Sequence, residues 1–303
     1  MSDAILDRAP DADAIALDMV RRKNAIWRRL LRDVPALLAL TFLVLVVLAA
    51  IFAPLITPAD PYANKLMVRF TKPWTMGRDG VFYWLGTDNQ GRDMVARLLF
   101  GMRSTLSIGI IAVLCGGTIG AVIGLLAAYY RRLETPLMRL VDVLLSFPSI
   151  LFGLAIAAVL KPGLPSLVLA LSIAAVPVIA RITRGGATVV MQQEYMEAGR
   201  AVGLGDAALI WRYLALNCGS TILIYMTLQL GQIILLGAAL SFLGLGAQPP
   251  TAELGSMAAD GRKYLTNFPH VATVPATAIF LVVLAFNVLG DALRDVLDPK
   301  LRQ

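Results

Sequence analysis

Six stretches of this chain carry no charged residue: Pro35 to Ala59, Ser104 to Tyr130, Val143 to Leu160, Gly163 to Ala180, Tyr213 to Ala252 and Val271 to Gly290. A helix needs roughly 20 apolar residues to cross the hydrocarbon core of a bilayer. Lipid admits only segments that satisfy their own backbone groups. The blocks therefore predict an all-α polytopic membrane protein with six transmembrane helices, the third and fourth being the shortest. Composition agrees, because 16% charged residues falls well below the 25% or so that covers a soluble domain.

Where the charge sits sets the expected orientation. The net charge is +7, and its placement points to a lipid surface and not to nucleic acid. Of the 27 basic residues, 17 fall in the N-terminal tail, between spans two and three, after span four, and after span six. The other ten are seven between Pro58 and Arg103, then Lys161, Arg262 and Lys263. The positive-inside rule puts the richer side, with both termini, in the cytoplasm. This gives a cytoplasmic tail over 1–33, including an interfacial helix around Met19 to Leu31, and a first transmembrane helix over 34–57. An external segment follows over 58–103, then a five-helix core over 104–303 with a cytoplasmic loop at 191–217. No cleavable signal is expected, since the first apolar stretch is too long for an h-region.

Within this frame, Thr57-Pro58-Ala59-Asp60-Pro61 stops the first helix, and Met94 to Met102 reads as an amphipathic helix on the membrane surface. In span two, Ala112, Gly116, Gly120, Gly124 and Ala128 recur every fourth residue, placing small side chains on one face where another backbone can approach. Gly116, Gly120 and Gly124 are the expected packing residues. Pro148 and Pro177 predict kinks in spans three and four. The long fifth block is expected to fold back at Leu240 to Ala247. Cys115 and Cys218 read as small core residues, with no disulfide framework.

Several chemistries are excluded by what the chain lacks. One histidine, His270, removes zincin motifs, there is no G-x-S-x-G elbow, and Gly-Lys never occurs, so no G-x-x-x-x-G-K-[ST] loop cradles a phosphate. Carboxylates are nearly missing from the spans, which disfavours an ion-coupled secondary carrier. A membrane scaffold stays open at this point.

The informative polar segment is Glu194-Tyr195-Met196-Glu197-Ala198-Gly199-Arg200-Ala201-Val202-Gly203-Leu204-Gly205-Asp206. Glu194 to Val202 reads as a short helix that Gly203 and Gly205 terminate. Asp206 suits the N-cap of a second short helix running to Tyr213. The result is a helix–break–helix elbow able to dock on another protein and transmit a rigid-body push.

This segment resembles the EAA loop of ABC-importer permeases: Glu197, Ala198 and Gly203 match, with Gly199 in place of the second alanine. Four more blocks resemble the C-type permease subunit of the dipeptide/oligopeptide/nickel import family. They are Gly86-Thr87-Asp88 with Gly91-Arg92-Asp93, Met138 to Leu144, Leu240 to Pro250, and Leu284 to Pro299. The resemblance implies a type I ABC-importer permease fold whose cytoplasmic coupling helix uses Glu194, Glu197, Ala198, Gly199, Gly203 and Asp206 to contact an ATPase. It implies a bacterial inner-membrane complex with a B-type permease, two ATP-binding ATPase subunits and an external substrate-binding protein that delivers short peptides or similar small polar solutes. On this reading the chain is not catalytic and holds no cofactor; ATP and Mg belong to the ATPases. Two departures stand out. Ala215-Leu216-Asn217 replaces the usual Leu-Pro-Asn, implying a less sharp turn into span five, and the tryptophan common after Gln-Pro-Pro is missing.

Overall fold

The computed structural model describes residues 33–297; the tail helix expected at Met19 to Leu31 lies outside that range. Ten helices organise the described residues: α1 (Val34–Ile51), α2 (Ala53–Ile56), α3 (Met94–Tyr129), α4 (Arg131–Ser146), α5 (Ser149–Leu160), α6 (Leu164–Met191), α7 (Glu194–Ala201), α8 (Asp206–Phe242), α9 (Leu254–Gly261) and α10 (His270–Leu297). Five of them (α1, α3, α6, α8 and α10) are long and apolar enough to cross a membrane. The α4–α5 pair is a sixth, broken candidate.

Asp33 opens α1 by accepting the Ala36 N–H at 3.2 Å. Pro35 costs nothing there, because the first turn has no intrahelical acceptor for its missing N–H. The helix breaks at Phe52, before Pro54, so the expected span over 34–57 is interrupted. Its small face (Ala36, Ala39, Leu43, Ala50) is buried and rests mainly on α10, while Leu38, Leu45 and Leu55 are exposed where acyl chains would lie.

The segment between α2 and α3 is an ordered cap. A two-stranded antiparallel ribbon pairs Thr75 with Tyr83 and Met76 with Phe82, and the Tyr83 hydroxyl donates to Asp79 at 2.8 Å. Gly91 is required here: φ is +75°, and a Cβ would overlap the Lys65 carbonyl. Trp74, Phe82 and Trp84 stay exposed and meet edge-on, amphipathic rings of the kind found at headgroup level.

Helix α3 corrects the expected boundary at 103/104. Asp93 caps it, accepting the Val95 N–H at 2.8 Å, and the chain stays helical for 36 residues. At 1.5 Å per residue that is about 54 Å, far beyond a hydrocarbon core of about 30 Å. Met94 to Met102 is thus the buried first part of the membrane helix, not a separate surface helix. Its Met94, Ala96 and Arg97 side chains pack inside the cap, and hydropathy alone misread them because Arg97 is charged.

The small-residue stripe of α3 lies directly on α6. A Cβ at Gly116 would overlap the Ser172 carbonyl, one at Gly120 would stand 2.5 Å from the Val176 carbonyl, and one at Gly124 2.5 Å from that of Ala180. No side chain separates the two backbones along three helical turns. Adjacent faces of α3 meet α8, where Gly109 admits Ile234 and Gly117 admits Met226. Helix α3 is therefore the central post, with α6 and α8 on two sides and α10 beyond α8.

Three further expectations change. The third span is not one rod, because α4 and α5 meet at 88°. Pro148 forces the preceding residue out of the helical region, and Phe147 accordingly adopts φ −92°, ψ 133°. The helix–break–helix expected within 191–217 forms, but its second helix does not stop at Tyr213: Asp206 onward already belongs to α8, whose first turns contain a π-helical stretch, Leu209–Leu214. The missing proline at Leu216 thus produces no turn; the chain passes through Ala215-Leu216-Asn217 as continuous helix. Finally, Cys218 is buried but Cys115 is exposed on the outer face of α3. The α8 helix ends at Phe242 in a left-handed turn at Gly244 (φ +84°), where the chain folds back as expected. Glu253 then starts α9 from a buried position, accepting the Gly255 and Ser256 N–H groups at 2.8 Å each.

The α3–α6 contact makes a direct prediction. Gly120→Ala should lower stability by about 1–3 kcal/mol, the usual cost of overpacking, and Gly120→Leu should leave no folded protein. Gly185→Ala, where a Cβ meets nothing within 4 Å, should be neutral. Thermal unfolding in detergent measures all three, and a stable Gly120→Leu variant would mean that the two backbones do not approach as described.

Candidate functional site

The elbow forms as a helix, a left-handed break and a second helix. Glu194 and Glu197 occupy the first turn of α7 and Arg200 the last, each sign complementing the local end of the helix dipole. The break is a Schellman turn: Gly203 N–H donates to the Arg200 carbonyl and Leu204 N–H to that of Gly199, both at 3.0 Å. Gly203 has φ +81° and open space around its Cβ position. Its requirement is conformational, about 1 kcal/mol, and not steric. Gly205 departs from expectation. With φ −68° and ψ 153° it is ordinary extended backbone, so it does not share the capping role.

Gly199 explains one departure from the EAA pattern. It is buried, and a Cβ there would stand 2.8 Å from Leu209 Cδ2. Glycine lets α7 lie against the first turn of α8. Met196 is fully buried on the same side, in a cluster with Leu125, Ala187, Leu209, Leu214 and Cys218. The elbow is thereby fastened to α3, α6 and α8. Its other side is open: Glu194, Tyr195, Glu197, Ala198, Ala201, Val202 and Trp211 are exposed, Val202 by 78%.

Asp206 does something other than the expected capping. Gly205 holds the N-cap position, and the Asp206 carboxylate instead accepts the Tyr129 hydroxyl at 2.7 Å and the Tyr130 hydroxyl at 3.0 Å. The Arg200 guanidinium covers the Tyr129 ring at 5.7 Å. This clamp ties the elbow to the junction of α3 and α4. Sequence reasoning missed both tyrosines. Their only signal was an adjacent pair of polar-tipped aromatics closing an apolar block. Two ion pairs, Glu134–Arg184 and Asp142–Arg181, join α4 to the neighbouring turns of α6.

A second polar feature lies within the bundle. The bend between α4 and α5 opens a cavity of about 360 Å³, lined by Phe147, Ser149, Phe152, Pro177, Gln229 and Gln232 among others. Gln229 and Gln232 bring uncharged hydrogen-bonding groups into an otherwise apolar span. No group of three or more metal-ligating side chains occurs among the described residues.

Comparison with known proteins accounts for this architecture. Residues 120–303 match the family described as binding-protein-dependent transport system inner membrane component. The chain belongs to that family. Residues 24–73 match the N-terminal transmembrane domain of oligopeptide transport permease C. A putative peptide transport system permease protein of Brucella abortus is 42% identical over 275 residues, covering 91% of each chain. The glutathione transport system permease protein of Escherichia coli O157:H7 is 40% identical over 301 residues, covering 99% of this permease and 97% of the relative. Among solved structures, a chain of the inward-facing MetNI methionine ABC transporter superposes with a TM-score of 0.56 at 19% identity, covering 67% of this chain and 97% of that one. The fold is that of a type I ABC-importer permease.

The clamp predicts a titration. Its hydrogen bond to Asp206 raises the Tyr130 phenol above the ordinary value. Because the neutral phenol is the donor, the contact should persist through pH 10 or so, where free tyrosine ionises, and fail as pH rises through the elevated value. Asp206→Ala should return Tyr130 to the ordinary range. NMR of ring-labelled tyrosine measures this, and an unshifted Tyr130 in the wild type would remove the clamp.

Proposed function

We propose that this permease subunit forms a translocation path with a second, B-type permease and receives its conformational drive through the elbow from two ATP-hydrolysing subunits. The supporting observation is the two-sided character of the elbow: one side is buried in the bundle core and clamped to Tyr129 and Tyr130, the other is exposed, with none of the described residues upon it. A rigid contact pushed at Val202 or Glu197 would move α3, α6 and α8 together, as rigid-body switching requires.

On this reading both termini and the elbow face the cytoplasm, following the 17-to-10 division of basic residues, and the ribbon-bearing cap faces outward, where an external binding protein delivers cargo. The chain lies in a bacterial inner membrane and is not itself catalytic; ATP and Mg are held by the ATPases. Gln229 and Gln232, beside the α4–α5 bend, line the path. Their amide groups can replace water around a small polar solute without fixing a charge. The names of the peptide and glutathione permeases to which the chain is similar favour a short peptide or related polar cargo.

The coupling role is tested at Gly203. A Cβ there meets no atom of the described residues within 4 Å, so an effect beyond the roughly 1 kcal/mol backbone penalty reports the partner. Gly203→Asp should insert in the membrane normally, yet lose substrate-stimulated ATPase activity and uptake together in reconstituted vesicles. Glu197→Ala should show a milder loss. Full coupling in Gly203→Asp would refute the role of the elbow.

A further inference from the structure

On the face of the bundle opposite the elbow, the cap and the ends of α8 and α9 enclose a cavity of about 300 Å³. Arg92, Arg97, Ser241, Asp260, Arg262 and Lys263 are among its lining residues. Two of the cations are deeply buried: Arg92 is 4% exposed and Arg97 3%. Both lean on one carboxylate, that of Asp88, with Arg92 Nε at 2.6 Å and Arg97 Nε at 3.4 Å from the same Oδ2. Asp88 accepts a true hydrogen bond only from the first, leaving Arg97 Nε without a hydrogen-bond partner.

A guanidinium carries five N–H donors. Among the described residues these two side chains donate only from Arg92 Nε to Asp88 and from Arg97 Nη1 to the Pro61 carbonyl at 3.3 Å. Asp260, which lines the same cavity, also acts on Arg97; counting the mouth, four cations (Arg92, Arg97, Arg262 and Lys263) meet two carboxylates (Asp88 and Asp260), an excess of positive charge that an anion would offset. Arg262 and Lys263 stand exposed at the mouth, Arg262 resting on the Phe242 ring at 5.2 Å. Donors, surplus charge and space converge on one place.

We propose that this cavity is a carboxylate-binding site. A carboxylate matches the planar fork of an arginine and carries negative charge against the excess of cations around the cavity. The carboxylate belongs either to a free solute or to an acidic side chain of a docked external binding protein. That the site opens outward rests on the orientation proposed above; its chemistry does not.

The test uses the full chain in lipid nanodiscs at low salt. Acetate binding is followed by NMR with ¹³C-acetate, and association of the cognate binding protein by surface plasmon resonance. The deciding variant is Arg262→Gln with Lys263→Gln, whose exposed positions leave folding untouched; Arg97→Gln probes the interior, and Arg78→Gln, exposed and away from the cavity, is the control. Saturable acetate binding that falls about tenfold in the mouth variant, as loss of charged donors implies, and is unchanged in the control, assigns a free carboxylate. No acetate binding, with binding-protein affinity falling by the same factor, assigns the side chain of the docked protein. If neither probe responds to the mouth variant, or if the control responds equally, the site does not exist, whatever Arg97→Gln does.

Discussion

The bundle depends on one close contact, the backbone-to-backbone approach of α3 and α6 across Gly116, Gly120 and Gly124. In lipid no hydrophobic effect drives helices together, so association relies on van der Waals packing and interhelical polar contacts. Three glycines on one face remove the side chains that would otherwise hold the axes apart, and carbonyl oxygens of α6 fill the gap. Everything else is arranged around that post. The cap seals one end through Asp93 and Arg97, and the elbow closes the other through Leu125 and Tyr129.

Because α3 joins both ends, it also links the two sites described. Its first turns carry Arg97 into the cavity opposite the elbow, and its last residue, Tyr129, holds Asp206. A helix whose middle is locked against α6 behaves as a stiff element between them. The irregular points lie elsewhere: the 88° bend at Phe147-Pro148, beside the glutamine-lined cavity, and the π-helical turns of α8, beside the elbow.

Much of this was legible in the sequence. Charge-free blocks located the membrane helices, the four-residue period located the stripe, and glycine at 203 located the break. What hydropathy lacks is direction and context. Pro148 signalled a kink in the block from Val143 to Leu160, but one proline does not say how far the chain turns, here by 88°. Arg97 argued against continuing the membrane helix to Met94, because its partner Asp88 lies in a turn whose fold one sequence does not display. Asp206 was placed at an N-cap by its neighbours in sequence, yet its partners, Tyr129 and Tyr130, stand 77 and 76 positions away. At Arg97 and Asp206 the errors fell where a distant side chain decided.

The account's central claim is that the open side of the elbow is a contact surface for an ATPase, and a photo-crosslinking residue at Val202 addresses it most directly. Val202 is 78% exposed, on the open side of the elbow. In membranes containing the whole complex, irradiation should join this chain to an ATPase subunit, while the same crosslinker at Trp74, on the opposite cap, should not. Crosslinks from Val202 to lipid alone, or ATPase crosslinks from Trp74, would contradict the claim.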